Sequence, residues 1–150
     1  MAASVLFVCL GNICRSPSAE AVFTHLAGPD EFIVDSAGTG DWHIGNPPYG
    51  PMIASASARG IAMDHLRARQ VSAADFDRFD LILAMDASNR ANLEALRPPG
   101  NTTPVRLFME FAGQPGAEVP DPYYTRDFDG ALDLIEAAAT GLLGALRGQT

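Results

Sequence analysis

Short apolar runs recur along the chain, and each is rich in β-branched or aromatic residues. Glycine, proline and polar residues separate one run from the next. Runs of this length and composition are typical of β-strands. The pattern predicts four strands: VLFVC (5–9), FIVDSAG (32–38), LILAM (81–85) and VRLF (105–108).

Helical patterns lie between and after these strands. The first is expected to begin at Pro17, with Ser16 as its N-cap and proline at the first helical position. Strands alternating with helices indicate parallel βαβ units in a small doubly wound sheet, whose ligand site lies at the carboxyl ends of the strands. The predicted helices cover residues 17–27, about 52–60, 87–97 and 127–146.

Length and composition bound the architecture. A chain of 150 residues is long enough for one real core and too short for two ordinary domains, so we expect one domain spanning residues 1–150. The 47% hydrophobic and 19% charged content fits a globular protein. Two Gly/Pro-rich loops, 36–51 and 111–127, are longer than a structural connection requires, which favours a functional role for both.

The charge and the first residues exclude several functions. A formal net charge of −8 argues against nucleic-acid or anionic-membrane partners, which rely on a basic face. The opening MAASVLFVCLGNI has no basic region and no long apolar run, so it predicts neither a signal peptide nor a membrane span. Two cysteines five positions apart cannot form a disulfide framework, and we expect a cytoplasmic protein with free thiols.

The segment CLGNICRSP follows the first strand and leads into a helix. Such a loop directs backbone N–H groups and the positive end of the helix dipole at one point, which binds an oxyanion. Gly11 and Asn12 suit the left-handed backbone that this needs, and Arg15 can grip two phosphate oxygens. These donors favour the thiolate of Cys9, a nucleophile beneath a phosphorus atom. The predicted phosphate-binding residues are Leu10, Gly11, Asn12, Ile13, Cys14, Arg15 and Ser16.

Other interpretations of this segment are weaker. The nucleotide and dinucleotide glycine motifs are absent from the sequence. A zinc site would need further ligands, and the chain has no other cysteine and only His25, His43 and His65 elsewhere, so we expect no metal. A buried structural thiol remains the ordinary alternative for Cys9 and, more strongly, for Cys14. The spacing C-x5-R-S at the end of a strand favours chemistry at Cys9.

Taken together, CLGNICRSPSAEAVF, DSAG, TGDWHIG, ARQV, MDASN and DPYY, in this order, resemble the low-molecular-weight protein tyrosine phosphatases. The resemblance spans nearly the whole chain. It implies a four-stranded parallel sheet with helices on both faces, in agreement with the pattern above. It also implies hydrolysis of phosphotyrosine through a cysteinyl-phosphate, without a metal or another cofactor, on a phosphotyrosine-containing protein, with a tyrosine kinase as one candidate. Inorganic phosphate would be product or inhibitor.

The resemblance assigns roles by motif. Cys9 would be the nucleophile, Arg15 the phosphate clamp and Ser16 the hydroxyl that stabilises the thiolate. Asn12 and Ser36 would hold the shape of the loop, and Asp121 of DPYY would be the general acid, although the dipeptide Asp-Pro alone favours a turn residue. Asp86 would support the site or cap the next helix. The substrate ring would lie between Trp42, Tyr123 and Tyr124.

Two further interpretations concern regulation. The curled loop could bring Cys14 close enough to Cys9 for a disulfide, which would protect an oxidised nucleophile. One of Tyr123 and Tyr124 lies in an acidic context and is a candidate phosphorylation site, with plain packing as the alternative.

The sequence departs from the family pattern at two places. Leu66 stands where many members have histidine, which predicts a missing supporting hydrogen bond. The short TRDFDG after DPYY predicts that the loop carrying Asp121 is held differently.

Protein arginine phosphatases have a small polar residue at the position of Ile13, so the tyrosine activity is favoured over that alternative. Arsenate reductases of this scaffold need a further cysteine pair that the chain lacks. A non-catalytic phospho-ligand module would be expected to have lost Cys9 or Asp121.

Overall fold

The computed structural model describes residues 3–148 of the chain. Strands and helices alternate through its first two thirds, and helices dominate the rest. In chain order the elements are β1 (Ser4–Cys9), α1 (Arg15–Ala27), β2 (Ile33–Gly38), α2 (Gly50–Ser57), α3 (Asp75–Arg78), β3 (Leu81–Ala84), α4 (Ala87–Leu96), β4 (Val105–Leu107), a 3₁₀ helix (Phe108–Ala112), α5 (Pro122–Thr125) and α6 (Phe128–Leu146).

The four strands form one parallel sheet in the order β2-β1-β3-β4. In the register Cys9 pairs with Gly38, and Val8 pairs with both Ala37 and Ala84. The ends of β1, β2 and β3 therefore lie side by side at one edge of the sheet. The predicted four strands and the parallel α/β class are confirmed, and the loops that follow these strands meet at this edge, where a doubly wound sheet carries its ligand site.

The two faces of β1 explain why its sequence is apolar without alternation. Val5, Phe7 and Cys9 point into a core formed with α1, α2 and α6, whereas Leu6 and Val8 point into a second core on the other side. A parallel strand covered on both faces is apolar at every position. Because side chains alternate across a strand, Cys9 lies on the same side as Phe7, toward the start of α1.

The boundaries of the helices differ from the prediction at several points. Helix α1 begins at Arg15 with Cys14 in the N-cap position, so Ser16 is not the cap and lies inside the first turn. Helix α2 begins at Gly50 and ends at Ser57, earlier than expected. The short helices α3 and α5 and the 3₁₀ helix were not predicted, because four or five residues carry too little periodicity to detect.

Among the helices of residues 3–148, none is both long and apolar enough to cross a membrane.

Candidate active site

The thiol of Cys9 lies at the end of β1 and is buried. Its Sγ is 3.0 Å from Ser16 Oγ and accepts a hydrogen bond from the backbone N–H of Asn12 at 3.2 Å. Because α1 starts two residues earlier than predicted, Ser16 faces the thiol instead of capping the helix. A hydroxyl and a backbone N–H therefore both lie within hydrogen-bonding distance of the sulfur.

The loop after Cys9 is held by the side chain of Asn12. Its Nδ2 donates to Ser16 Oγ at 2.7 Å and to Ser36 Oγ at 3.0 Å, while its Oδ1 accepts from the backbone N–H of Arg69 at 3.0 Å. Asn12 has a φ of 56°, in the left-handed region that asparagine tolerates better than most residues. Gly11, in contrast, was expected to share that conformation and does not.

Gly38, the glycine of DSAG, allows β2 to end directly beneath this loop. A Cβ on Gly38 would lie 2.7 Å from the carbonyl oxygen of Leu10 and 3.2 Å from the backbone nitrogen of Asn12. Any side chain would therefore displace the loop. This close approach places Ser36, two residues earlier on the same strand, within reach of Asn12.

Arg15 is buried and three contacts hold its guanidinium group. Nη1 donates to Asp86 Oδ2 at 2.7 Å and to the carbonyl oxygen of Val119 at 3.1 Å, and Nη2 lies 3.5 Å from Asp121 Oδ2. Burial alone would lower the pKa of Arg15, but the charges of Cys9, Asp86 and Asp121 outweigh burial and raise it above its ordinary value. Arg15 therefore stays a cation inside the site.

Asp86 has both of the functions that the sequence left open. Its Oδ2 accepts from Arg15, and its Oδ1 caps α4 by accepting from the backbone N–H of Asn89 at 2.7 Å. Each oxygen of the carboxylate has its own partner, so the start of α4 and the guanidinium are fixed to the same group.

Asp121 is partly exposed at the start of the short helix α5. Its Oδ1 accepts from the backbone N–H of Tyr123 at 3.1 Å, with Pro122 at the first helical position. The turn interpretation of Asp-Pro is therefore correct as local structure, and it is compatible with chemistry because Oδ2 faces Arg15. The cap holds the carboxylate at the mouth of the loop.

These groups surround a cavity of about 340 Å³. It brings together most of the residues predicted for the site, whereas Asn12, Ser16 and Ser36 support the loop from behind. The wall residues are exposed at its rim: Trp42 is 69% and Tyr124 72% accessible. His43 also lines the cavity. The lining residues are Cys9, Leu10, Gly11, Ile13, Cys14, Arg15, Trp42, His43, Asp121, Tyr123 and Tyr124.

A tyrosine that the sequence analysis missed supports the aromatic wall. The ring centroids of Tyr49 and Tyr123 are 5.2 Å apart, and Tyr123 contacts Tyr124 edge-on at 5.3 Å. Arg126 donates to Tyr49 Oη at 2.9 Å and lies over its ring. Arg126 of the TRDFDG segment thus holds the loop that carries Asp121, through Tyr49 and Tyr123. The position of Tyr49 in the long loop NPPYGP was the only signal that could have indicated it.

Trp42 rests on the backbone of Gly40. A Cβ on Gly40 would lie 2.1 Å from Cζ3 of the indole, so the ring occupies the place where any other residue would carry its side chain. This contact explains how an exposed tryptophan keeps a defined position beside the cavity.

Cys14 is a buried free thiol that lines the same cavity as Cys9. Burial, followed by the negative charges of Cys9 and Asp121, raises its pKa to about 12, although Arg15 and Arg126 oppose the shift. Cys14 is therefore a protonated thiol at neutral pH. No group of three or more potential metal ligands occurs among the histidines, cysteines and carboxylates of residues 3–148.

Comparison with known proteins gives consistent similarities. The family model for low molecular weight phosphotyrosine protein phosphatases matches residues 4–150. The low molecular weight protein-tyrosine-phosphatase YfkJ of Bacillus subtilis is 44% identical over 149 residues, with 96% of both chains covered. Its crystal structure matches with a TM-score of 0.92 at 42% identity over 100% of this chain and 98% of that chain. A Drosophila arginine phosphatase has a TM-score of 0.86 at 33% identity, covering 95% and 97% of the two chains.

Proposed function

The chain belongs to the low molecular weight phosphotyrosine protein phosphatase family and is a protein-tyrosine phosphatase, and from this premise we propose how its residues divide the reaction. Cys9 is the nucleophile, Arg15 binds the phosphate, and Asp121 is first the general acid and then the general base. The assignment rests on one observation: the thiol and the guanidinium of one loop and the carboxyl of Asp121, 106 residues after Arg15, converge on one cavity.

Phosphate binding is the task of the loop 10–16 and of Arg15. Both hydrogens of Nη1 are occupied by Asp86 and Val119, and one side of Nη2 faces Asp121, so Nε and the other hydrogen of Nη2 are left for two phosphate oxygens. Backbone N–H groups at the start of α1 complete the anion site. The same donors meet the charge of the transition state, so they contribute to rate as well as to binding.

In the first chemical step the thiolate of Cys9 forms a bond to phosphorus while the bond to the tyrosine oxygen breaks. A phenolate with a pKa of about 10 is a poor leaving group. Asp121 donates a proton to that oxygen as the electron pair arrives there, and the dephosphorylated tyrosine side chain of the substrate leaves. Ser16 and the backbone N–H of Asn12 stabilise the thiolate before the attack.

In the second step water attacks the cysteinyl-phosphate. The carboxylate of Asp121 takes a proton from this water, the sulfur–phosphorus bond breaks, and its electron pair returns to Cys9. Inorganic phosphate is released, and it is also the expected competitive inhibitor. One carboxyl group therefore serves both halves of the reaction.

The substrate is a phosphotyrosine-containing protein, with a tyrosine kinase among the candidates, whose ring lies between Trp42 and the two tyrosines of α5. Ile13 presents an apolar side chain to the cavity, which suits an aryl ester better than the polar guanidinium of phosphoarginine. The fold itself does not separate the two activities, because an arginine phosphatase shares it. We also propose that residues 1–150 act as one phosphatase domain in the cytoplasm.

Rapid-quench labelling tests this mechanism. Purified protein is mixed with a ³²P-phosphotyrosine peptide and stopped within one turnover, and we expect labelled phosphate on Cys9. Cys9→Ser should lose the label and the turnover but keep phosphate binding, because serine remains protonated and is a much weaker nucleophile here. Cys14→Ser, which changes the other thiol of the loop, is the matched control and should retain the label.

The same assay separates the alternatives. Phosphoserine and phosphoarginine peptides of the same sequence should be hydrolysed far more slowly than the phosphotyrosine peptide. Label that persists in Cys9→Ser would contradict the assignment of Cys9 as the nucleophile. Faster hydrolysis of the phosphoarginine peptide would show that the substrate class is phosphoarginine. Binding of all peptides without turnover would indicate a phospho-ligand module.

A further inference from the structure

Glu20 lies on α1 in the turn after the phosphate loop, and it faces away from the catalytic cavity. It lines a second cleft of about 430 Å³, together with apolar residues of β2 and of the segment 60–66. Its Oε1 accepts a hydrogen bond from Ser36 Oγ at 2.7 Å. No step of the proposed mechanism uses this largely buried carboxyl group.

A continuous chain of hydrogen bonds joins Glu20 to the thiol of Cys9. Ser36 donates to Glu20, and Ser36 Oγ accepts from Asn12 Nδ2 at 3.0 Å. The other hydrogen of Nδ2 goes to Ser16 Oγ at 2.7 Å, and Ser16 Oγ lies 3.0 Å from Cys9 Sγ. Every side chain of the series touches the next.

We propose that Glu20 is a positioning residue that sets the direction of donation along these hydrogen bonds, and thereby directs the side-chain amide of Asn12 toward Ser16 and the hydroxyl of Ser16 toward the nucleophile. The inference rests on the assignment of Cys9 as the nucleophile. Glu20 itself does not touch the substrate.

The direction follows from the donors and acceptors that each group has. A carboxylate only accepts, so the single proton of Ser36 points to Glu20 and its lone pair points to Asn12. Both hydrogens of Nδ2 are then donated, and Oδ1 is left to accept from Arg69. Ser16 Oγ receives one of these hydrogens, so its own proton is free for Cys9 or for the carbonyl oxygen of Ala37 at 3.3 Å.

The ionisation of Glu20 changes close to neutral pH. Burial raises its pKa to about 7, with the charge of Asp35 acting in the same direction, whereas the hydrogen bond from Ser36 and the charge of Arg69 oppose the shift. His25 and His65 are the other titratable groups that line the cleft. A protonated Glu20 can donate as well as accept, so below this pH the chain loses its single direction.

Alkylation of Cys9 by iodoacetamide measures the effect without substrate or turnover. The rate is followed from pH 5.5 to 8.5 by mass spectrometry, in wild type, Glu20→Leu and Glu20→Gln. Thr24→Val is the matched control, because Thr24 lies one turn later on α1 and lines the same cleft without belonging to the chain. We expect Glu20→Leu to slow alkylation about fivefold to thirtyfold at pH 8, the effect of losing a buried hydrogen-bond partner.

Glu20→Gln isolates the charge, since glutamine keeps an acceptor and cannot ionise. The decrease in its alkylation rate relative to wild type should be largest at pH 8 and should vanish near pH 5.5, where Glu20 is neutral. Ser36→Ala combined with Glu20→Leu should be no slower than the slower single variant, because both cut the same chain.

Two results would overturn the proposal: a profile for Glu20→Leu that coincides with that of Thr24→Val, or additive effects of Glu20→Leu and Ser36→Ala. Thermal unfolding of each variant checks that a loss of rate is not a loss of fold. If Glu20→Leu does not fold, the pH dependence of Glu20→Gln decides alone. Failure of the proposed nucleophile would appear separately, as labelled phosphate that persists in Cys9→Ser.

Discussion

The two oxygens of the Asp86 carboxylate hold two different parts of the site, because Oδ2 accepts from Arg15 Nη1 at 2.7 Å and Oδ1 accepts from the N–H of Asn89 at 2.7 Å. The guanidinium is buried and the carboxylate is about a fifth exposed, so water screens the pair only weakly. Asp86 therefore fixes the orientation of the guanidinium through Nη1, and the opposite edge is the one proposed to bind phosphate.

Asp86→Ala is expected to weaken phosphate binding and to lower kcat/KM by about tenfold to a hundredfold, because it leaves a buried guanidinium without its partner. Steady-state kinetics with a phosphotyrosine peptide and phosphate inhibition measure both. Glu118→Ala is the control: Glu118 accepts from the N–H of Ala87 at the same end of α4 but does not contact Arg15. Equal decreases in kcat/KM in the two variants would show that Asp86 acts only as a helix cap.

Asp121→Asn tests whether Asp121 is the general acid, because general-acid catalysis accelerates the reaction most when the leaving group is most basic. We expect single-turnover rates to fall by about 10²- to 10⁴-fold for phenyl phosphate or phosphotyrosine and by less for p-nitrophenyl phosphate. Asp127→Asn is the matched variant on the same loop, where Asp127 caps α6 through the N–H of Gly130. A plot of rate against leaving-group pKa that stays parallel to wild type would remove Asp121 as the acid and leave Asp127 as the next candidate.

Peroxide is expected to inactivate the enzyme reversibly. The thiolate of Cys9 is oxidised to a sulfenic acid, and the thiol of Cys14 then forms the disulfide with loss of water. Oxidation removes the negative charge of Cys9, one of the causes that raise the pKa of Cys14, so attack by Cys14 becomes easier. Activity after dithiothreitol and the mass of the loop peptide measure recovery, and bound phosphate should protect. Full recovery of Cys14→Ser would exclude a protective role.

Glu20 should make the stability of the protein depend on pH in an unusual direction. Its pKa of about 7 lies above the unfolded value of about 4.3, so the folded state binds the proton more tightly. The contribution of Glu20 to the free energy of unfolding is fully present below about pH 4.3 and is lost as the pH rises through 7. Between pH 4.5 and 8, the free energy of unfolding of Glu20→Gln should therefore increase relative to that of wild type by on the order of 3 kcal/mol.

Urea unfolding at several pH values measures this difference. Asp64→Asn removes one exposed negative charge near the same cleft and serves as the control for net charge. A difference between Glu20→Gln and wild type that does not change with pH would show that Glu20 does not titrate in this range.

The four strands and the phosphate loop could be predicted from the sequence because their signals are local. β1 is apolar from Val5 onward and ends at the thiol of Cys9, and the asparagine and the arginine of the loop follow within six residues. Strand length, side-chain alternation and the donors at a helix start depend only on neighbours in the chain. The start of α1 was predicted two residues late because serine is a residue type favoured at N-caps. In the structure Ser16 lies in the first turn, where its hydroxyl contacts Cys9.

The contacts between distant segments were decided by the tertiary structure alone. Asp86 reaches Arg15, Tyr49 supports Tyr123, and Glu20 joins the loop through Ser36, although no local pattern links these pairs. Each pairing depends on the order of the strands and on which face of a helix packs inward. Those are properties of the whole core, because the free energy that selects them comes from burying many side chains at once.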